Sequence, residues 1–539
     1  MRVIDNPVLP GFHPDPSFLR VGSDYYLATS TFEWYPGVRI YHSTNLSAWR
    51  LVATPLNRPA LLDMRGNPDS GGVWAPCLSY ADGLFWLVYT DVKRLDGAFK
   101  DTHNYITTCP RIDGEWSDPI YVNSSGFDPS LFHDDDGRKW LLNMVWNHGA
   151  HDTGSNPTHR RFDGIALQEW APDKGLFGPI KNIWSGSQRG LTEAPHIFKR
   201  NGYYYLTTAE GGTGYGHAVS MARARNLQGP YEAHPEQHLM THSATPDHAF
   251  QRIGHGQYVE TQDGEAYHSF LMGRPIPGPD GVGRFCPLGR ETGLERCVWK
   301  ADNWLYLEGS GQSVRANLPN PDKGQHSVQK AKTKTIDYQF NCLHSDFQWL
   351  RTPFPERLFR LENNSLILIG RESIGSCFEQ ALVARRQQHL IYSAECQLQF
   401  APQTYQQAAG LITYYNGHKF HALMLSHDQK LGRILTVFSC PGRYPNTDMD
   451  YPLAAPVPVA EERVELRVRT DHAKQQFFWK QGEDWHPIGP VLNAACLSDE
   501  AGKGEGKSFT GNFVGMIAFD TSGLAAEAQF SRFSYTGAE

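Results

Sequence analysis

No stretch of this sequence stays apolar long enough to cross a membrane as a helix, and the opening "MRVIDNPVLPGF" lacks the apolar core of a secretion signal. Long amphipathic helical runs are missing too. Cysteine is sparse: there are nine, an odd number, with no Cys-x-x-Cys pair. That excludes a disulfide framework and a zinc-ligand pattern, and suits a reducing compartment. A cytoplasmic location is therefore the expectation. A strong charge of one sign is absent as well. The net charge of −7, spread over 539 residues, offers neither nucleic acid nor an anionic membrane an evident partner.

What is abundant is glycine, at 51 residues, and aromatics, at 12%, which suit strands and turns rather than helices. One stretch, "GFHPDPSFLRVGSDYYLATST", sets an aspartate between two prolines ahead of an apolar strand. The pattern returns as "WAPCLSYADGLFWLVYTD", "FDPSLFHDDDGRKWLLNM", "EAPHIFKRNGYYYLTTAE" and "GHGQYVETQDGEAYHSFLM". Each has a Pro or Gly anchor (Pro16, Pro76, Pro129, Pro195, Gly256), an apolar residue two positions on, a turn, and a second apolar strand. The anchors lie 60, 53, 66 and 61 residues apart. Such spacing marks a repeat architecture with about four short strands per unit. The expected fold is all-β, with a five-bladed propeller over residues 1–315.

In radial repeats, equivalent positions meet around one axis. The residues just ahead of the anchored strands are Asp15, Trp74, Asp128, Glu193 and His255, and they should ring one mouth of the channel. A single aspartate before a strand is most simply a turn residue. Three acids in matching positions over five repeats point instead to a site.

The five-fold pattern ends near residue 315. Residues 316–335, polar and then basic, read as a connector. Beyond it, "SLILIG", "HLIYSAECQLQF", "AAGLITYY", "HALMLSH", "RILTVF", "VELRVRT", "QQFFWKQ" and "FVGMIAF" are short, turn-bounded and often alternating. They predict an antiparallel β-sandwich over 336–539.

Other motifs carry less. "HDDDGRKW" lacks the spacing and final glutamate of a calcium loop and reads as a solvated hairpin turn. "AEGGTGYGH" does not fit a dinucleotide fingerprint; a close approach of backbone to ligand suits it better. His148, His151, Asp152 and His159, within 147–164, have no metal-ligand spacing and read as a polar loop. His255 stays open between a satisfied buried imidazole, a partner of the catalytic acid, and an indirect ligand of an ion.

Three acids among aromatics in a chain of modest charge suit glycoside hydrolysis. One carboxyl stays protonated to expel the leaving group, another is ionised to activate water, and a third raises the acid's pKa. The segments "GFHPDPS", "TSTFEWYPGVRIYHS", "GNPDSGGVWAPCLSY", "SSGFDPSLFHDDDGRKWLLNM", "TEAPH", "YYYLTTAEGGT", "CPLGRET" and "FTGNFVGM" resemble glycoside hydrolase family 43, most closely its two-domain β-xylosidases. The resemblance runs from about residue 5 to the end.

It implies a five-bladed propeller, single-displacement inversion, and release of xylose from xylo-oligosaccharide ends, with α-L-arabinofuranosidase activity in many members. Residue by residue, it implies Asp15 as general base, Asp128 as the group that tunes and orients the acid, and Glu193 as general acid. Arg290 would contact sugar hydroxyls, and Phe32, Trp74, Phe127, Thr213 and His255 would line the pocket. Phe509 would be an aromatic that the sandwich lends to the rim. No cofactor is required on this reading, with room left for a divalent cation such as calcium in the channel near His255. The expected partner is a xylo-oligosaccharide, and the expected assembly a homo-oligomer, dimer or tetramer. The 147–164 loop is longer than the family pattern, which leaves leaving-group-side specificity open. The alternatives are a predominant arabinofuranosidase, the retaining sucrose- and fructan-acting propellers (whose Asn-Asp-Pro-Asn and Arg-Asp-Pro motifs are absent), and a non-catalytic glycan-binding propeller.

Overall fold

The computed structural model describes residues 3–150, 161–309, 311–319, 333–443, 448–501 and 508–538. Five antiparallel sheets form the blades of a propeller. Blade I is Ser17–Val21, Asp24–Thr29, Arg39–Ser43 and Arg50–Ala53. Blade II is Gly72–Ala81, Leu84–Arg94, Asp101–Cys109 and Ile120–Asn123. Blade III is Ser130–His133, Lys139–Trp146, Phe162–Ala171 and Gly175–Trp184. Blade IV is Glu193–Arg200, Tyr203–Glu210, Ala218–Ala224 and Glu232–Thr241. In blade V the first strand is split into Gln251–Gly254 and Tyr258–Glu260, both paired with Ala266–Gly273; Glu291–Trp299 and Leu305–Leu307 follow.

Local chemistry explains the hairpins. Asp82-Gly83 and Asn201-Gly202 are two-residue loops with φ of 55°, 75°, 48° and 72°, the type I′ geometry that Asp-Gly and Asn-Gly adopt most readily. The acidic run at 134–137 turns between Ser130–His133 and Lys139–Trp146, closed by the Asp134 amide on the Arg138 carbonyl at 2.9 Å. The serine of each "DPS" ties blades together. Ser17 Oγ accepts from the Leu78 amide of blade II and donates to Gln257 Oε1 of blade V, both at 2.9 Å. Ser130 Oγ donates to the Pro195 carbonyl at 2.5 Å. In blade V the anchor is Gly256, where a Cβ would fall 1.7 Å from the Ser269 carbonyl oxygen.

The ring closes through its N-terminus: Val3–Asp5 pairs with Asn317–Pro319, and Asn6 Nδ2 donates to the Leu294 and Arg315 carbonyls at 2.8 Å each. Composition placed 316–335 in a connector. Residues 317–319 are instead the strand that closes the propeller, and Thr333–Tyr338 already pairs with the last strand of the chain, Glu527–Ala538. Polar sequence does not exclude a strand whose partner is supplied from a distant part of the chain. Residues 320–332 lie outside the described residues.

The C-terminal part is a two-sheet antiparallel sandwich, and all eight segments read as strands are strands. The outer sheet alternates buried and exposed positions, as in Ile391–Gln399 and Arg463–Asp471. In the inner sheet, Gln407–Asn416 is buried at every position. Its two faces serve different cores. Leu411, Leu423, Val383 and Met516 pack with the outer sheet. Ile412, Met424, Leu382 and Ile517 pack with Phe12, Phe32 and Trp74 of the propeller. The inner sheet also gains an edge from the propeller. Trp34–Tyr35 leaves blade I and pairs with Phe347–Leu350, Trp349 opposite Tyr35 and Leu350 opposite Trp34. The Trp34 ring stacks on Phe513 at 3.7 Å.

Candidate active site

The innermost strands begin with strained backbone. Asp15, Asp128 and His255, directly ahead of their anchors, have φ of 56°, 53° and 42°. The left-handed region costs a non-glycine residue roughly 1–2 kcal/mol, and aspartate tolerates it best. In blade IV the equivalent residue is Ala194, with φ of 52°, so Glu193 stands one position earlier than strict repeat register. Trp74 is displaced in the same sense. Both sit at ladder irregularities, between Trp74 and Cys77 and between Glu193 and His196. These bulges turn the two side chains to the mouth although the repeat count is off by one.

All ten residues singled out from the sequence line one cavity of about 530 Å³ at that mouth, a volume suited to a small-molecule site. Asp15 is held at both oxygens: Ser30 Oγ donates to Oδ2 at 2.6 Å, and Arg290 Nη1 donates to Oδ1 at 2.7 Å. His255 Nδ1 lies 3.6 Å from Asp15 Oδ1, beyond hydrogen-bond range. Burial and the Arg290 charge push its pKa down to about 3, so it faces Asp15 as a neutral imidazole. The Thr213 hydroxyl is buried without a partner among the described residues.

The other two carboxyls are shifted toward their neutral forms. Burial first, then the charge of Asp15, pushes Glu193 up to about 8, against an opposing pull from Arg290. Asp128 is raised well above the usual carboxylate range by burial, then by Glu193 and Asp15. The Asp128 and Glu193 carboxyls act on one another, and burial adds to their mutual repulsion. Burial leads, Asp15 follows, and Asp128 and Glu193 resist full ionisation together because both are buried side by side.

The sandwich supplies the cavity's cap. Phe509 is half-buried, edge-on to Trp74 at 5.8 Å between ring centres, and is not a core residue. Its backbone is clamped by the propeller: Ser70 Oγ accepts from the Phe509 amide at 3.0 Å, and Arg290 Nη2 donates to the Phe509 carbonyl at 2.9 Å. Ser70 also accepts Trp74 Nε1 on its carbonyl at 2.8 Å, and its own amide donates to Glu33 Oε2 at 3.2 Å. One serine, with φ of 62°, thus positions both aromatic walls.

Residues not foreseen from sequence form the outer side of the cavity. Trp146, Arg161 and Phe162 line it, with Lys100 Nζ 4.5 Å from the Trp146 ring centre. Trp146 directly precedes the 147–164 loop and the other two fall within it, while its His151, Asp152 and His159 lie outside the described residues. Their only sequence signal is the aromatic at either end of that loop. His217, from "AEGGTGYGH", also lines the cavity, with a buried Nε2 that has no partner among the described residues. Gly254 makes room for it, since a Cβ there would fall 1.9 Å from the imidazole. As for a channel cation near His255, no group of three or more His, Cys, Asp or Glu side chains converges to hold a metal ion among the described residues.

Carboxyls held toward neutrality beside an ionisable one, among aromatic walls, supply what hydrolysis of a glycosidic bond requires. The chain belongs to glycosyl hydrolases family 43, whose model matches residues 4–305; residues 335–536 match the β-xylosidase C-terminal concanavalin A-like domain. It is 51% identical to the xylosidase/arabinosidase 43B of Humicola insolens, over 99% of this chain and 98% of that one. It is 47% identical to the β-xylosidase of Bacillus subtilis (strain 168), over 99% of both. The crystal structure of a xylan β-1,4-xylosidase from Bacillus halodurans C-125 superposes with a TM-score of 0.91 at 45% identity, covering 99% of each chain.

Proposed function

We propose that this hydrolase is an exo-acting, inverting β-xylosidase that releases D-xylose from the non-reducing ends of β-1,4-xylo-oligosaccharides, with α-L-arabinofuranosidase activity in the same pocket. The observation that carries the reading is the cap. Asp15 and Glu193 share a cavity in which Phe509 of the sandwich meets Trp74 of the propeller edge-on, and closure of the cavity at that end would admit a terminal sugar only. The names of the relatives supply the sugar.

In this reading Glu193, protonated at neutral pH, gives its proton to the glycosidic oxygen as the bond to the anomeric carbon breaks. A water on the opposite face forms the new bond and passes its proton to Asp15, which inverts the configuration. Ser30 and Arg290 keep the Asp15 oxygens oriented through that step. Asp128, buried beside Glu193, orients the acid and limits its ionisation. Phe32, Trp74 and Phe127 pack on the sugar, while Arg290, Thr213 and His255 offer polar contacts to its hydroxyls.

The test is a panel of nitrophenyl glycosides assayed with and without chelator, with proton NMR of the first product from a β-xyloside. The β-xyloside should be the fastest substrate and α-xylose should appear first. A faster α-L-arabinofuranoside would select the arabinofuranosidase reading instead, and turnover of neither would leave a glycan-binding propeller. The reading includes no required cofactor, so chelator should leave the rate unchanged. It also includes a homo-oligomeric state, dimer or tetramer, checked by sedimentation. A cytoplasmic site of action accords with nine free cysteines and is checked by cell fractionation.

A further inference from the structure

A second cavity, of about 400 Å³, lies where the N-terminal segment and blade I meet the sandwich, away from the three carboxyls. Its charge is one-sided. Arg39 comes from blade I, and Arg385 and Arg386 end the sandwich strand Ala381–Arg386. They are exposed by only 4%, 1% and 4%. Arg50 and His13 line the same space, and Asp346 is the one carboxylate among the lining residues.

Asp346 does not balance the cluster. It lies 3.8 Å from Arg385 and is itself one-third exposed. The remaining guanidinium donors meet neutral acceptors: Arg39 donates to Tyr41 Oη at 2.8 Å and to the Ser345 carbonyl at 3.0 Å. Arg386 Nε donates to the Phe12 carbonyl at 2.6 Å and Nη1 to Gln348, while Nη2 is buried with no partner among the described residues. Among the described residues, neither Arg39 nor Arg386 has a carboxylate partner. Burying a charge without a counter-charge is costly, and a buried donor left unpaired adds to that cost. The burden is visible on the groups themselves. Burial and the neighbouring Arg39 push Arg386 down to about 9, and burial with the two arginines holds His13 well below its usual value.

The plainer reading makes these arginines structural cross-links between the domains. It accounts for Arg385, whose two terminal nitrogens are taken by Tyr338 and Gln388. It leaves the Arg386 Nη2 donor and the surplus charge unexplained. We propose that this cavity binds a small oxyanion, a phosphate or a carboxylate, between Arg39 of the propeller and Arg386 of the sandwich. A buried guanidinium N–H without an acceptor is suited to a charged oxygen of either kind. An anion there would also brace the active-site cap. Arg386 pairs with Phe513 in the sheet, and Gln387 donates its amide to the Asn512 carbonyl, three residues beyond Phe509.

A ligand bound only by the native state raises the unfolding temperature along a saturating curve. Kosmotropic stabilisation by phosphate has no such saturation and does not depend on one arginine. The experiment is thermal unfolding of the full chain across a phosphate series and a glucuronate series at fixed pH and ionic strength, for the native protein and for Arg386→Met and Arg39→Met. The expected result is a saturating rise of several degrees in the native protein that both variants lose. Saturation by phosphate alone or by the sugar acid alone tells which source of oxyanion the site prefers. A rise without saturation, equal in all three proteins, overturns the proposal. Should the variants not fold, broadening of the phosphorus-31 signal of inorganic phosphate by the native protein, reversed by excess glucuronate or sulfate, carries the test. Absence of broadening would count against the site just as firmly.

Discussion

Glu193 concentrates the chemistry of the pocket, and its environment makes a prediction with a sign. The acid must carry its proton, so kcat/KM should fall as pH rises through the folded pKa of Glu193, placed at about 8. Asp128→Asn removes a carboxyl that must otherwise share ionisation with Glu193. The alkaline limb should then move to lower pH while staying above that of a free glutamate, because burial, the leading cause, remains. An unmoved limb would mean Asp128 only positions its neighbour. Asp15→Asn and Glu193→Gln should each lower turnover by roughly 10²–10⁴-fold or more. The two differ in leaving-group dependence: Glu193→Gln should spare a nitrophenyl xyloside, whose phenolate needs little protonation, relative to xylobiose. Equal losses on both substrates would remove the acid role from Glu193.

Two segments from opposite ends of the chain make the cap: residues 67–74 of the propeller and 508–513 of the sandwich. Ser70 joins them by holding Trp74 with its carbonyl and the Phe509 amide with its hydroxyl. Phe509→Ala should raise KM about tenfold, in keeping with roughly 1–3 kcal/mol for a lost pocket contact, with the fold intact. Ser70→Ala keeps both rings but frees the Phe509 amide. It should raise KM by less than Phe509→Ala and leave the pH limbs in place. Michaelis constants on xylobiose for the two variants check this ordering. A core role for Phe509 would show instead as a large drop in unfolding temperature with unchanged KM.

The two domains share their interiors, so they should behave as one folding unit. The inner-sheet strand Gln407–Asn416 is buried at every position, the propeller lends that sheet an edge, and the fully buried Arg351 of the sandwich reaches Asp69 at 2.6 Å and the Asn67 carbonyl at 2.8 Å. Calorimetry should show one unfolding transition. A chain ending at residue 319 would expose Trp34, Tyr35 and Phe12 and should not yield a soluble, active propeller. Two separated transitions, or an active truncated propeller, would show the sandwich to be a bystander.

The five repeats, the turns within them and the sandwich strands were legible from sequence because each depends on contacts a few residues apart: Gly-containing turns, proline anchors, alternating or continuous apolar runs. The three carboxyls were legible because radial repetition converts equal spacing into a shared axis. Tertiary structure alone decided the rest. Arg290 meets Asp15 across 275 positions of chain, and the bulge that aims Glu193 is invisible in a residue count. The connector's strands were missed because their partners lie at the two chain ends. Above all, the protonation of Glu193 and the surplus charge around Arg386 come from burial, which no local pattern records. A carboxyl or guanidinium has the same letter in water and in a closed pocket, and only the packing of distant segments removes the water.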